Sequence, residues 1–168
     1  YMIPPADDLE QRLQLLSGAV KGVYASVYYS DSKAYMAATR NVIDQEKMAV
    51  LLQEVVGTAY EGRYYPHISG VARSLNYYPI GDEQATDGIA DLALGLGKYI
   101  VDGGLSLRVC PAYPHKVLQT SEMEMALRQT QTRFYALDMT QTASPFQVDD
   151  GFNLLKLPVQ EAVKDGAM

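Results

Sequence analysis

The feature that most constrains this fold is a succession of short apolar runs, interrupted by glycines, in the middle of the chain. Residues 48–56 read MAVLLQEVV and residues 89–94 read IADLAL. Such runs, rich in apolar residues and bounded by turn residues, are typical of strands. Helical patterns lie near both ends of the chain. The sequence therefore predicts an α+β fold with a mainly antiparallel sheet and flanking helices.

Two helices are predicted at the start of the chain and one near its end. Leucines and valines recur at helical spacing over residues 7–29, which predicts one long amphipathic helix. Ser30 or Asp31 can cap a second helix over residues 32–40. A third helix is predicted over residues 158–164.

The strands follow the apolar runs. A central strand is predicted over residues 48–56, because this run is almost uniformly apolar and a glycine ends it. A hairpin is predicted from residues 63–68 and 71–77, with its turn at Ser69 and Gly70. Shorter strands are predicted over residues 89–94, 105–110, 116–119 and 134–139.

Two segments toward the end of the chain have weaker patterns. Ser121 begins a predicted helix, and Glu124 lies three residues later as in a capping box. Residues 144–168 form a tail in which the helix over residues 158–164 is the one regular element predicted.

Charge and hydropathy exclude two classes of partner. The net charge is −6 and the lysines and arginines are dispersed, whereas nucleic-acid binding needs a basic patch. No run reaches the roughly 20 apolar residues of a membrane span, and no secretory signal pattern opens the chain. We expect a cytoplasmic protein that binds neither nucleic acid nor membrane.

The remaining polar residues do not predict an independent catalytic or metal site. His67 and His115 have no metal-ligand spacing to other candidates. The acidic pairs at residues 82–83 and 149–150 are interpreted as solvated turns, and no serine lies in a GxSxG motif. Cys110 is the one cysteine, and we interpret it as a buried apolar residue.

A glycine turn at residues 95–98, with the sequence GLGK, follows an apolar strand and precedes a short helical segment. Glycines in such a turn let backbone N–H groups approach phosphate oxygens, and Lys98 adds a positive charge. Two glycines also make an ordinary turn, so the spacing by itself leaves both interpretations open.

Several segments of the chain suggest a family. MAVLLQEVV is followed by SGVARSLNYYP and then by ADLALGLGKYIVDGG, and VYASVYYSDSKAYMAATR precedes them. In this order they resemble the nucleotide-binding domain of phosphoenolpyruvate synthase and pyruvate phosphate dikinase, which is an ATP-grasp fold. The resemblance extends over about residues 20–119 and is interrupted at residues 62–68, which look like an insertion.

The resemblance implies a nucleotide site with two parts. The backbone of the first strand borders the adenine in this family, which makes residues 48–50 a candidate adenine hinge. The glycine turn encloses the ATP phosphates. The implied nucleotide-binding residues are Met48, Ala49, Val50, Gln53, Gly95, Gly97 and Lys98.

Lys98 departs from the family pattern, which has a glutamate at this position. A carboxylate could help to hold magnesium at the triphosphate, whereas an ammonium group cannot ligate a metal. Two interpretations follow: Lys98 contacts a phosphate directly, or the site is degenerate.

The resemblance also implies that the chain is part of a larger enzyme. It begins at Tyr1 rather than at methionine, and we expect residues 1–168 to be a partial ATP-grasp domain of a multidomain protein. The family's AVRSS-type segment, its paired acids and its Q-x-R ending are not visible. The implied parent uses ATP, magnesium and pyruvate to make phosphoenolpyruvate through a phosphohistidine on another domain, and this segment is inactive by itself.

Two alternatives remain open at this point. One is a degenerate ATP-grasp module that binds a nucleotide or a partner without catalysis, which Lys98 motivates. The other is a dikinase that acts on glucan or another acceptor, which would differ only in other domains.

Overall fold

A computed structural model describes residues 3, 8–39, 46–117, 119, 129–140 and 153–167. The chain divides into two compact units. The first, here called the helical unit, contains residues 1–55 and 139–153. The second, here called the sheet unit, contains residues 56–138 and 154–168.

The helical unit begins with two helices, as the sequence predicts. Helix α1 is Leu9–Ala25, and a 3-10 turn, Ser26–Tyr28, follows it. The Asp8 carboxylate caps α1 by accepting hydrogen bonds from two backbone N–H groups of the first turn. Helix α2 is Ser30–Ala38, so it starts two residues before the predicted boundary.

The predicted central strand over residues 48–56 is wrong. Residues 46–57 have no regular secondary structure, and the side chains of Leu51, Leu52 and Val56 are 83%, 64% and 77% exposed. A strand exists only when a neighbouring backbone satisfies its N–H and C=O groups. Within the described residues, no strand pairs with this segment, so its composition alone does not make it a strand.

The sheet unit contains two antiparallel sheets. Its strands, in chain order, are β1 (Thr58–Tyr60), β2 (Arg63–Tyr65), β3 (Ser69–Arg73), β4 (Ile89–Ala93), β5 (Leu107–Val109), β6 (Arg133–Asp138) and β7 (Leu154–Pro158). The first sheet has the order β1-β2-β6-β7 and the second has the order β3-β4-β5. Together with the helices they confirm the predicted α+β class with mainly antiparallel pairing.

The predicted hairpin around residues 69–70 is also wrong, because its two arms belong to different sheets. β2 pairs with β1 and β6, whereas β3 pairs with β4 along its whole length. Gly70 lies inside β3 rather than in a turn, and a Cβ there would lie 2.6 Å from the Asp91 carbonyl oxygen. Close packing between strands, not turn geometry, accounts for this glycine.

The strand predicted over residues 116–119 is absent from the described part of that segment, residues 116, 117 and 119. The Gln119 side chain lies against β5 instead: its Oε1 accepts from Arg108 N at 2.7 Å, and its Nε2 donates to Ser106 O at 2.9 Å. A side-chain amide therefore occupies backbone groups that a neighbouring strand would use. The predicted helix at Ser121 lies outside the described residues.

The core of the sheet unit is aromatic. Tyr65 and Phe134 are fully buried, and their ring centroids are 4.7 Å apart. Helix α4, Val159–Lys164, buries Ala162 against the same cluster and confirms the helix predicted near the end. A short helix α3, Lys98–Val101, follows the glycine turn. Cys110 is 1% exposed, as predicted. Among the described helices, none has both the length and the apolar character that crossing a membrane requires.

Candidate functional site

The glycine turn at residues 95–98 is present, and Gly95 has a structural role in it. Gly95 has a φ of 82°, and a Cβ there would lie 2.6 Å from the Tyr135 carbonyl oxygen. Its N–H donates to Pro66 O at 3.1 Å, and Leu96 N donates to Tyr135 O at 2.9 Å. These two N–H groups hold the turn against the first sheet, so they are not available to a ligand.

Gly97 differs from Gly95 because nothing in the fold requires a glycine there. Its φ of −59° and ψ of −19° are ordinary helical values. A Cβ at this position would lie 3.8 Å from Ser69 Cβ, which is normal van der Waals contact. The missing side chain leaves the Gly97 backbone open to close approach from outside the chain.

Ser69, the first residue of the SGVA segment, lies close to Gly97 of the glycine turn. It is the first residue of β3, and its Oγ would be 3.9 Å from a Cβ at Gly97. The Ser69 hydroxyl donates to Ala93 O at 3.5 Å, the long limit for a hydrogen bond. Ser69 was not among the residues singled out for nucleotide binding. Its position at the start of the SGVA segment is the signal that marks it.

Lys98 begins α3 and forms an ion pair one helical turn away. Its Nζ lies 3.1 Å from Asp102 Oδ1, and its side chain is 26% exposed. The helix is anchored by Tyr99, which is buried beneath Gly104 and meets the Tyr135 ring edge-on at 5.9 Å. The packed Tyr99 therefore anchors the backbone at Lys98, and the ion pair with Asp102 orients the ammonium group.

The residues of the turn do not fit a magnesium ion. Asp102 is the carboxylate that accompanies Lys98, and its Oδ1 is bound to the ammonium group. Magnesium is held by carboxylate and phosphate oxygens, and an adjacent ammonium group opposes it electrostatically. The described residues contain no group of three or more histidine, cysteine or acidic side chains placed to hold a metal.

The predicted nucleotide-binding residues fall into both units. The turn residues at 95–98 lie together in the sheet unit, whereas the predicted hinge residues lie in the helical unit. Met48 and Val50 are half-buried, and Ala49 and Gln53 are exposed. The adenine hinge stays a prediction, without the strand on which it was placed.

Met48 lines a cleft of the helical unit with a volume of about 470 Å³. Asp31 and Glu46 line the same cleft. Two carboxylates around an open cleft repel phosphate groups, so this cleft by itself is a poor place for a triphosphate.

An apolar cavity of about 300 Å³ lies within the sheet unit. The Gln131 amide closes one wall, accepting from Leu94 N at 2.8 Å and donating to Leu94 O at 2.9 Å, so the polar groups of that wall are paired. Other side chains that enclose the cavity are His67, Ile68, Leu92, Leu107 and Val159.

A buried polar cluster between β5 and the loop at residues 76–83 was not predicted from the sequence. Glu83 was interpreted as part of a solvated turn, which is wrong, since it is 9% exposed and pairs with Arg108. Its carboxylate also accepts from Asn76 Nδ2 at 2.9 Å and from Ile80 N at 3.0 Å. The Arg108 guanidinium is the main cause that lowers the pKa of Glu83 to about 2. The neighbouring Asp82 is exposed, as interpreted.

Comparison with known proteins gives one family. The family model described as "Pyruvate phosphate dikinase, AMP/ATP-binding domain" matches residues 7–156. The match includes both the hinge segment and the glycine turn. No curated protein and no solved structure shows a significant match to the chain.

Proposed function

This chain belongs to the pyruvate phosphate dikinase AMP/ATP-binding domain family, and from that premise we propose that its glycine turn binds the phosphates of ATP. The observation that carries the proposal is Gly97. Its conformation and its surroundings would accept a side chain, yet it carries none. A phosphate group in contact with the backbone explains that vacancy.

Lys98 supplies the charge for this contact. It follows Gly97 directly, and α3 holds it in place through buried Tyr99. A phosphate competes with Asp102 for the ammonium group, and a triphosphate carries more negative charge than a single carboxylate. In this proposal Lys98 contacts phosphate directly and takes over charge neutralisation from the family's glutamate-bound metal.

The parent protein, in this proposal, is a phosphoenolpyruvate synthase-like phosphotransferase of the cytoplasm. Residues 1–168 form part of its ATP-grasp domain. The parent converts ATP, pyruvate and water to phosphoenolpyruvate, AMP and phosphate, and a phosphohistidine on another domain carries the phosphoryl group. The isolated segment binds nucleotide without transferring phosphate. The family resemblance and the family match support this reading, and the acceptor rests on the resemblance alone.

The test measures ATP affinity of the 168-residue chain by titration calorimetry in three variants. Gly97→Ala adds one methyl group where the fold accepts it, so the melting temperature should hold while ATP affinity falls about tenfold. Lys98→Ala should also weaken ATP about tenfold, the usual size of a charge-assisted hydrogen bond. Lys164→Ala is the charge-matched control, because its ammonium group is exposed on α4 and pairs with Glu161.

Equal ATP affinity in the wild type and in both turn variants would refute the phosphate site. A Gly97→Ala variant that unfolds would instead refute the claim that the fold tolerates a side chain there. The full-length protein, assayed for phosphate release from ATP with and without pyruvate, tests the parent reaction separately.

A second candidate function is a nucleotide-binding module without catalysis. The Lys98–Asp102 ion pair favours it, because it replaces the family's glutamate with a salt bridge that does not fit magnesium. Full-length protein that binds ATP and consumes none, with pyruvate or without it, would support this candidate over the enzyme.

A further inference from the structure

The two sheets of the sheet unit have four edge strands, and three of them are protected against pairing with another chain. β1 is only three residues long, and β7 carries Lys156 and ends at Pro158. Short length, lysine and proline all discourage pairing at a sheet edge. At the edge of β5, the Gln119 amide occupies backbone groups of the strand.

The fourth edge strand, β3, has none of these protections. In the described part of the chain it pairs with β4 alone. Its five residues include no proline and no lysine, and its one charged residue, Arg73, is the last. Residues 70–73 are exposed. We propose that the outer edge of β3 pairs with β3 of a second copy of this chain, antiparallel and across a two-fold axis, which joins two three-stranded sheets into one of six strands.

The sequence of β3 is self-complementary about Val71. With the two-fold axis at Val71, the strand register places Gly70 opposite Ala72 of the second copy. The same register places Ser69 opposite Arg73 of the second copy. Like charges directly opposite each other destabilise a strand pair, and this register contains no such pair.

Asp91 is an acidic residue beside the proposed axis, because it is the register partner of Val71 in β4. Its Oδ1 accepts a hydrogen bond from the Ser106 hydroxyl at 3.4 Å. In the proposed dimer the two Asp91 residues are three strand spacings apart, about 14 Å. This separation exceeds the Debye length of about 8 Å at physiological ionic strength, so their mutual repulsion is largely screened.

Apolar side chains lie at the centre of β3 and beside both of its ends. Ile68 is 69% exposed, Leu75 is 42% exposed and Val71 is 38% exposed. The chain is fixed directly after Leu75, because Asn76 is buried and its N–H donates to Ala85 O at 2.8 Å. β3 is about 17 Å long, and two such edges with these side chains bury on the order of 800 to 1,000 Å². This area is at the low end of specific interfaces, so we expect a dimer dissociation constant of about 10 to 100 μM.

Sedimentation velocity of the 168-residue chain over a range of concentrations measures the dimer directly. The wild type should pass from monomer to dimer as its concentration rises through the expected dissociation constant. Val71→Glu places two carboxylates opposite each other at the axis, each beside Asp91, and should weaken the dimer about tenfold or more. Val163→Glu is the control, since Val163 is 57% exposed on α4 and outside β3. Its dimer affinity should stay within about twofold of the wild type.

Disulfide crosslinking tests the register with much smaller changes to the side chain. Residues directly opposite each other have Cα atoms about 4.5 to 5.5 Å apart, within the range that a disulfide spans. Val71→Cys should therefore give a covalent dimer under mild oxidation. Ala72→Cys is the matched control on the same strand, because its counterpart in the second copy is a diagonal neighbour about 7 to 8 Å away, too far for a disulfide. Cys110 is present in both variants and is 1% exposed.

Three results would overturn the proposal. One is a wild type that stays monomeric at all concentrations, which is also the result expected if residues 48–56 cover β3 within the same chain. Another is a dimer whose affinity is unchanged in Val71→Glu, because the contact would then lie on a different face. The third is equal crosslinking of Val71→Cys and Ala72→Cys, or none in either, which would exclude the two-fold register at Val71.

Discussion

Arg108 donates two hydrogen bonds to the Glu83 carboxylate: Nη1 lies 3.0 Å from Oε1, and Nη2 lies 2.7 Å from Oε2. The two residues join β5 to the polar loop that follows β3. Arg108 Nη2 also donates to the Tyr78 carbonyl at 3.1 Å. Because paired geometry of this kind needs a planar guanidinium group, the contact fixes both the position and the orientation of the loop.

Arg108→Ala should lower the free energy of unfolding by about 2 kcal/mol, because it leaves the Glu83 carboxylate buried without its counterion. Arg108→Lys should restore only part of the loss, since a lysine cannot make two parallel hydrogen bonds. Urea denaturation followed by circular dichroism measures both. Lys116→Ala is the control, because its pair with Asp82 is exposed on both sides. Equal stability of Arg108→Ala and the wild type would contradict the structural role.

Stability should fall in acid because of the same pair. The folded pKa of Glu83 is lowered to about 2 from an ordinary value of 4.5, chiefly by the hydrogen bond from Arg108. The unfolded chain therefore binds a proton first as the pH drops. The contribution of Glu83 is present above pH 4.5 and is lost as the pH falls toward 2. Urea midpoints measured across this range should decline less steeply in Glu83→Gln; a parallel decline in both proteins would show that Glu83 is not responsible.

The sequence predicts best those elements whose stability is local. Helix α1 follows from apolar spacing and α2 from candidate capping residues, whereas β4 and β6 are recognised by apolar runs bounded by turn residues. The failures have a common cause, which is that strand pairing depends on distant residues. The run at residues 48–56 has strand composition without a described pairing partner, and the Gln119 amide occupies the edge of β5 that a further strand would need.

Only the local part of the candidate site could be predicted from the sequence, because its other contacts join residues that are far apart in the chain. The glycine turn is local and could be recognised in the sequence. The difference between Gly95, which packing requires, and Gly97, which it does not, depends on contacts with Tyr135 and Ser69. Those contacts join residues far apart in the chain. The apolar cavity of the sheet unit is likewise lined by several separate segments, so no single sequence motif predicts it.

Gly95→Ala should be strongly destabilising, by about 3 kcal/mol, because it combines left-handed φ with a clash against the Tyr135 carbonyl. Gly81→Ala separates the two effects. Gly81 has a φ of 63° and no atom within 4 Å of an added Cβ, so it reports the dihedral cost alone, about 1 kcal/mol. Thermal unfolding of both variants gives the difference, which is the packing contribution. Similar losses in the two variants would mean that the turn can move away from Tyr135.

A hydrogen bond from Tyr65 connects the first sheet to the end of helix α4. Its hydroxyl donates to Asp165 Oδ2 at 2.7 Å, and Arg63 Nη2 lies 3.3 Å from Asp165 Oδ1. Burial and this hydrogen bond raise the pKa of Tyr65, so it stays neutral and donating at physiological pH.

Tyr65→Phe should therefore cost about 1 kcal/mol through the lost hydrogen bond, while its ring stays stacked on Tyr60 at 4.7 Å. Asp165→Ala should cost more, about 2 kcal/mol, because it also leaves Arg63 without one of its two carboxylates. The free energies of unfolding from urea titration measure both changes, with Tyr78→Phe at an 84% exposed position as the control. In the double variant Tyr65→Phe/Asp165→Ala, the losses should not add, since both single changes remove the same hydrogen bond. Full additivity would mean that the hydroxyl and the carboxylate act independently, against the contact described above.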